Sequence, residues 1–201
     1  MRRGAPSAFL LVFFLASCRT ATLPGGKPFA PVNAASADLA WQELLTRKDQ
    51  FTGARAFAQI RTTTSEGTRS ARAAFEFDSS GDFRVNVLSP IGTTVLTVIA
   101  EGDRMTIGSE PSRPMTELAR ILGLPAGAWS ASDISMLLLG LPSQREAAGR
   151  FRYDVSPSGL QHVVADEVDI RYDPPAFPPR KVIFESGPNR FEVEYLELVR
   201  L

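Results

Sequence analysis

Phe83-Arg84-Val85-Asn86-Val87-Leu88-Ser89-Pro90-Ile91-Gly92-Thr93-Thr94-Val95-Leu96-Thr97-Val98-Ile99-Ala100 reads as two β-rich runs joined by a Ser-Pro-Ile-Gly connection. Pro90 fixes its φ and Gly92 permits a positive φ, so the join is a tight turn and the runs form an antiparallel hairpin. Phe83, Val85 and Val87 alternate with Arg84 and Asn86, giving the first strand one apolar and one polar face. The second strand is apolar on both faces from Val95 to Ile99, which predicts cover on both sides. Ile91 is out of place at a turn tip, where water selects polar residues. Either it folds back onto the sheet or it stands exposed.

The period of two extends outward from this hairpin. Phe51 to Thr62 is a long strand with small residues on one face. Ala71, Ala73, Phe75 and Phe77 alternate with Arg72, Ala74, Glu76 and Asp78, and Arg104 to Ile107 continue the meander. The period then changes. Met115, Leu118, Ala119 and Leu122 have helical spacing, broken at Pro125 and Gly127. Ser130 and Asp133 offer a capping-box start, and Ile134, Leu137, Leu138 and Leu141 form a helical stripe ended by Gly140 and Pro142. Strands resume at Phe151, Tyr153 and Val155, at Leu160 to Val164, at Val168 to Tyr172 and at Lys181 to Glu185. In the final strand Phe191, Val193 and Tyr195 share a face, and then the alternation slips so that Leu196 and Leu198 fall opposite. A β-bulge near Tyr195-Leu196 would restore one apolar face; the alternative is cover on both faces.

On the other flank, Ser36 can cap a helix to about Lys48, with Ala37, Trp41, Leu44, Leu45 and Lys48 on one stripe. The predicted class is α+β: an incomplete antiparallel β-barrel of about nine to eleven strands with helices against one face. By pattern alone those helices either roof a hydrophobic cavity or cover a solid core.

The composition excludes several kinds of chemistry. Lys+Arg and Asp+Glu are both 22, so there is no basic excess for nucleic acid. One Cys, Cys18, and one His, His162, leave no Cys/His metal site and no disulfide framework. His162 lies within a strand, with no Gly-x-Ser-x-Gly elbow and no phosphate-cradling Gly loop elsewhere. Glu192 and Glu194 read as the polar face of a strand, and Asp166, Glu167 and Asp169 as a solvated edge. The expectation is a binding or transfer protein with no cofactor, no catalytic residues and no metal.

The N-terminus reads as an address. Arg2-Arg3 precede the apolar run Ala8 to Leu15, which is too short to span a bilayer, and Leu15-Ala16-Ser17-Cys18 follows. Small residues before a Cys resemble a bacterial lipobox. That resemblance implies a signal peptide over residues 1–17, cleaved before Cys18, and acylation of Cys18; a plain signal peptide with a chance Cys is the alternative. Residues 18–35, rich in Pro, Gly, Ala and Thr, would then be a flexible tether, and residues 36–201 the folded domain. Arg19 is not the Asp that resembles an inner-membrane retention signal, so the expected location is the outer membrane, facing the periplasm.

Three motifs in order, Phe51-x-Gly53-x-x-Ala56-Phe57-Ala58, Phe83-Arg84-Val85-x-Val87-Leu88-Ser89-Pro90-Ile91-Gly92 and Leu139-Gly140-Leu141-Pro142, resemble the LolA/LolB-like lipoprotein superfamily, and within it the outer-membrane receptor LolB. The resemblance covers roughly residues 38–201. It implies an incomplete barrel with a helical lid over a hydrophobic cavity, and a non-enzymatic activity. Such a receptor accepts triacylated lipoproteins from a LolA-type periplasmic carrier and places them in the outer membrane. It also implies a membrane-probing turn, Pro90, Ile91 and Gly92, with Ile91 at the tip. If the Phe75 face points inward, the cavity-lining candidates are Phe75, Phe77, Val85, Val87, Leu96, Val98, Ile134 and Leu138. The implied partners are lipoprotein acyl chains, the carrier, and the inner leaflet of the outer membrane through Cys18, with the chain acting as a monomer.

Overall fold

The computed structural model describes residues 25–124, 127–143, 151–165 and 168–201. The leader, Cys18 and the edge residues Asp166 and Glu167 lie outside the described residues, as does the breaker Pro125. The described chain forms twelve strands and three helices. After β1 (Lys27–Pro28) and α1 (Ala37–Asp49), a first meander runs through β2 (Gly53–Thr64), β3 (Gly67–Asp78), β4 (Phe83–Leu88), β5 (Thr94–Glu101), β6 (Arg104–Ile107) and β7 (Arg113–Pro114). Helices α2 (Met115–Ile121) and α3 (Ala131–Leu139) follow. A second meander comprises β8 (Phe151–Ser156), β9 (Gly159–Ala165), β10 (Val168–Asp173), β11 (Lys181–Ser186) and β12 (Asn189–Arg200).

All strand pairs are antiparallel, in the order β7-β6-β5-β4-β3-β2-β12-β11-β10-β9-β8, with β1 beside β12. The sheet is open. Each meander starts or ends at an outer edge, and the two join where β12 pairs with β2, from Arg190 opposite Thr63 to Arg200 opposite Ala54. The chain therefore travels from one edge, β7, to the other, β8, through α2 and α3. This path lays both helices across the inner face.

Large and small residues alternate along the central seam. Ala54, Ala56 and Ala58 of β2 are fully buried, opposite Phe77 and Phe75 of β3 and Tyr195 of β12. The slipped alternation of β12 is resolved by a bulge. The register shifts between Tyr195 and Glu197, Leu196 is turned out, and Leu198 returns to the inner face opposite Ala56.

Helix α3 is buried on every side, from Ala131 through Leu139 with Ser132 as the sole residue not fully covered. Both its ends are closed. The Ser130 hydroxyl accepts from the Asp133 amide (3.1 Å), and the Asp133 carboxylate accepts from the Ser130 amide (3.1 Å). At the other end Gly140 has φ +73°, its amide donates to Leu137 O, and the Leu141 amide donates to Met136 O (2.8 Å), a Schellman closure. A Cβ at Gly140 would also lie 3.0 Å from the Pro179 ring. The Leu-Gly-Leu-Pro motif is thus a helix stop.

Two expectations are corrected. The tether expected up to residue 35 is docked from Lys27 onward: Lys27 and Pro28 pair with Arg200 and Val199, Val32 is buried, and Phe29 meets Phe177 edge to face (5.5 Å). Arg47 of α1 donates to the carbonyls of Ala30 and Pro31 and lies 4.9 Å from the Phe177 ring centre. A low-complexity composition concealed this, because backbone pairing and a few apolar anchors suffice to hold a short arm. The second correction concerns β5, where Val95 is 62% and Leu96 39% exposed. Nothing among the described residues covers the outer end of that strand.

Candidate functional site

The inner face of the first meander does not pack solidly against the helices. Between them lies a cavity of about 150 Å³ lined by Ile60, Phe75, Phe83, Val85, Val87, Val98 and Phe191 of the sheet, Leu118 and Leu122 beside α2, and Ile134 and Leu138 of α3. Every lining residue is apolar. Ile60, Val87, Val98, Leu118 and Phe191 are half-buried, so the cavity opens toward the end of the sheet that carries the β4–β5 turn.

Pairing explains the lining. Residues directly opposite in an antiparallel ladder share a face. Val98, Val85 and Phe75 are cross-strand neighbours in one row, and Leu96, Val87 and Ala73 in the next. Of the eight residues read from the sequence, Phe75, Val85, Val87, Val98, Ile134 and Leu138 line the cavity. Phe77 is on the same face but one row deeper, stacked on Phe75 at 5.8 Å and tilted against Phe83 at 6.0 Å, where it serves as core. Leu96 lies at the rim. Ile60, Phe83, Leu118, Leu122 and Phe191 were missed. The four-residue step from Leu118 to Leu122 signals one helix face, and Phe83 shares the alternation of Val85.

The cavity floor is held by two phenols. Tyr172 Oη donates to Leu137 O and Tyr195 Oη to Leu138 O, both at 2.9 Å. Leu138 O gains a donor at the helix C-terminus, and Leu137 O, which also accepts from the Gly140 amide, gains a second. Burial pushes both phenol pKa values above the usual tyrosine range, so these groups remain donors.

The β4–β5 turn projects from the open end. The Ser89 amide donates to Thr93 O (2.8 Å), the Gly92 amide donates to Ser89 O (2.9 Å), and the Ser89 and Thr93 hydroxyls meet at 2.8 Å. Gly92 has φ +86° with open space where a Cβ would sit, so backbone conformation alone requires glycine there. Ile91 does not fold back: it is 87% exposed. With Val95 and Leu96 it makes an apolar tip.

The other recesses have mixed polar and apolar linings. Grooves of about 290 and 450 Å³ include the pairs Glu43–Arg47 and Arg55–Glu76 respectively. His162 sits on the outer face of β9 between Asp154 (3.3 Å) and Asp169, across the sheet from the cavity side. Among the described residues no helix is long and apolar enough to cross a membrane.

No family model matches the chain, and a search of curated proteins finds no match. Solved structures do share features of its shape. A LolA superfamily protein from Nitrosomonas europaea is 10% identical, with 81% of this chain and 94% of that one covered and a TM-score of 0.46. A domain from Vibrio parahaemolyticus, provisionally described as an outer membrane lipoprotein-sorting protein, is 9% identical, with 82% and 92% covered and a TM-score of 0.44. A DUF1329 family protein from Desulfovibrio piger is 9% identical, with 82% and 92% covered and a TM-score of 0.41. With about a tenth of residues identical, this chain's own side chains decide its chemistry.

Proposed function

We propose that this chain is a non-enzymatic, lipid-anchored envelope protein that takes up an acyl chain beneath α2 and delivers it to a membrane. The finer reading is a receptor that accepts triacylated lipoproteins from a LolA-type periplasmic carrier and inserts them into the outer membrane, anchored through Cys18. The observation that carries the reading is the cavity, lined by apolar side chains alone and opening beside an exposed apolar turn.

At ~0.8 kcal/mol per CH₂, exposing one ~16-carbon chain to water costs roughly 12 kcal/mol, so acylated cargo needs a covered route between membranes. The cavity's 150 Å³ is below the roughly 300 Å³ at which ligand pockets usually begin. Loading therefore has to displace α2, the helix with its outer face in water. Handover needs no ATP when the acceptor binds the chain more tightly than the donor.

The test is a transfer assay with the full chain, a carrier loaded with acylated cargo, and acceptor vesicles. Wild type should strip cargo from the carrier and pass it to the vesicles. Ile91→Glu should strip cargo and retain it. An absence of acyl uptake by wild type would overturn the proposal, and normal delivery by Ile91→Glu would remove the turn from it.

A further inference from the structure

The apolar turn is bordered by cations. Arg72 lies on β3 opposite Leu88, the last residue before the turn, and Arg69 lies three residues further along the same strand, level with the turn itself. Arg61 of β2 is opposite Ser70. All three arginines are exposed, and among the described residues none of them forms an ion pair. The nearby acids are few. Glu66 sits in the β2–β3 turn, and Glu192, opposite Arg61, is bonded to Arg190 (2.6 Å).

The placement is not planar. Strand alternation sends Arg69 to the inner face with Thr62, and Arg61 and Arg72 to the outer face with Ser70 and Gln59. The charges thus flank the tip from both faces of the sheet, while Ile91 stands clear of them at 87% exposure. A flat protein partner would meet one face of such a hairpin. A layer of lipid headgroups surrounds whatever enters it.

We propose that Arg61, Arg69 and Arg72 form a collar for phosphate-bearing anionic headgroups, which draws the Ile91 turn to bilayers carrying negative charge and holds it at acyl depth. This rests on reading the turn as membrane-facing, and it adds a lipid preference. The two parts of the tip act at different ranges. The isoleucine supplies burial on contact, and the arginines supply attraction over about a Debye length of 8 Å at physiological salt. Each arginine near an anionic surface is worth about fivefold in binding, so three are worth on the order of a hundredfold.

The test uses the full chain on vesicles with acyl-brominated lipid, with Ile91→Trp as a depth reporter. Whatever holds the N-terminus is common to every sample, so quenching of the introduced indole reports the turn alone, once the same chain without that substitution is subtracted. Vesicles with about a third phosphatidylglycerol should quench strongly, and pure phosphatidylcholine weakly. Half-molar salt or Arg61, Arg69 and Arg72→Gln together should reduce the first to the second, whereas the triple Lys variant should keep the charge dependence. A thermal melt checks that each variant is folded. Equal quenching on both vesicles, unaffected by the Gln variant, would overturn the collar and leave the membrane-facing turn standing. No quenching on either would overturn the turn reading itself. Loss of carrier binding in the Gln variant with unchanged quenching would assign the arginines to a protein partner and overturn the proposal.

Discussion

Helices α2 and α3 lie on the same sheet face and differ in almost everything that fixes a helix. The nine residues of α3 have a capping box in front, a Schellman closure behind, and two tyrosine hydroxyls donating to Leu137 and Leu138. The seven residues of α2 begin at Pro114 with no side-chain cap, and Ile121 at its end is 54% exposed. Its inner side borders empty space. Both helices border the cavity, α3 through Ile134 and Leu138, so the contrast lies on their other sides: α3 is covered there and fixed at both ends, whereas α2 has its outer face in water and less packing to lose. The difference teaches that α3 is a plug and α2 a cover, and that a cavity needing more room would gain it from α2.

Substitutions can break this contrast. Leu137→Ala, in the plug, should destabilise the chain by about 2–5 kcal/mol in a urea titration. Tyr195→Phe should cost about 1–3 kcal/mol, because the Leu138 carbonyl loses its phenol donor. Tyr172→Phe should cost less, since Leu137 O keeps the Gly140 amide. The tyrosines also predict a pH dependence. Their folded pKa is raised, so the folded state holds protons that the unfolded chain releases near its ordinary value of 10.0. Stability is then fully present below pH 10 and falls as pH rises past it. A melt series from about pH 8 to 11 should show a shallower fall for Tyr195→Phe.

Leu118→Ala, in the cover, should cost about 1 kcal/mol or less while changing acyl uptake more than any substitution above. If it costs as much as Leu137→Ala, the contrast between plug and cover fails. Ile91→Glu should leave stability within about 0.5 kcal/mol, because the side chain touches almost nothing. Its whole effect should appear in delivery to membranes.

Much of this was legible because it is local. The capping box at Ser130 and the stop at Gly140 each follow from a few adjacent residues, whereas at Tyr195-Leu196 the sequence left a bulge and cover on both faces open, and the pairing of β12 with β2 decides for the bulge. Which residues share a face of each strand followed from its period of two, but which face turns inward did not. Depth along a strand did not: Phe75 and Phe77 share a face, but only the position of the helices decides that one lines a cavity and the other fills a core. Val95 misled for a related reason. A strand apolar on both faces reads as covered, and at a projecting hairpin it is instead left in water. The docking of Lys27 and Pro28 was invisible because their partners, Arg200 and Val199, lie at the far end of the chain.

The place of β12 governs how such a molecule can be made. It is the last strand in sequence, yet it sits between the two meanders and joins them. Until residues 189–200 have been synthesised, β2 is paired only with β3 and β11 only with β10, so each half has an open edge where β12 will join them. The apolar inner faces of both halves remain open through most of translation, so folding waits for contacts of very large sequence separation and is slow. The half-made form of a chain with this topology is the species most exposed to aggregation.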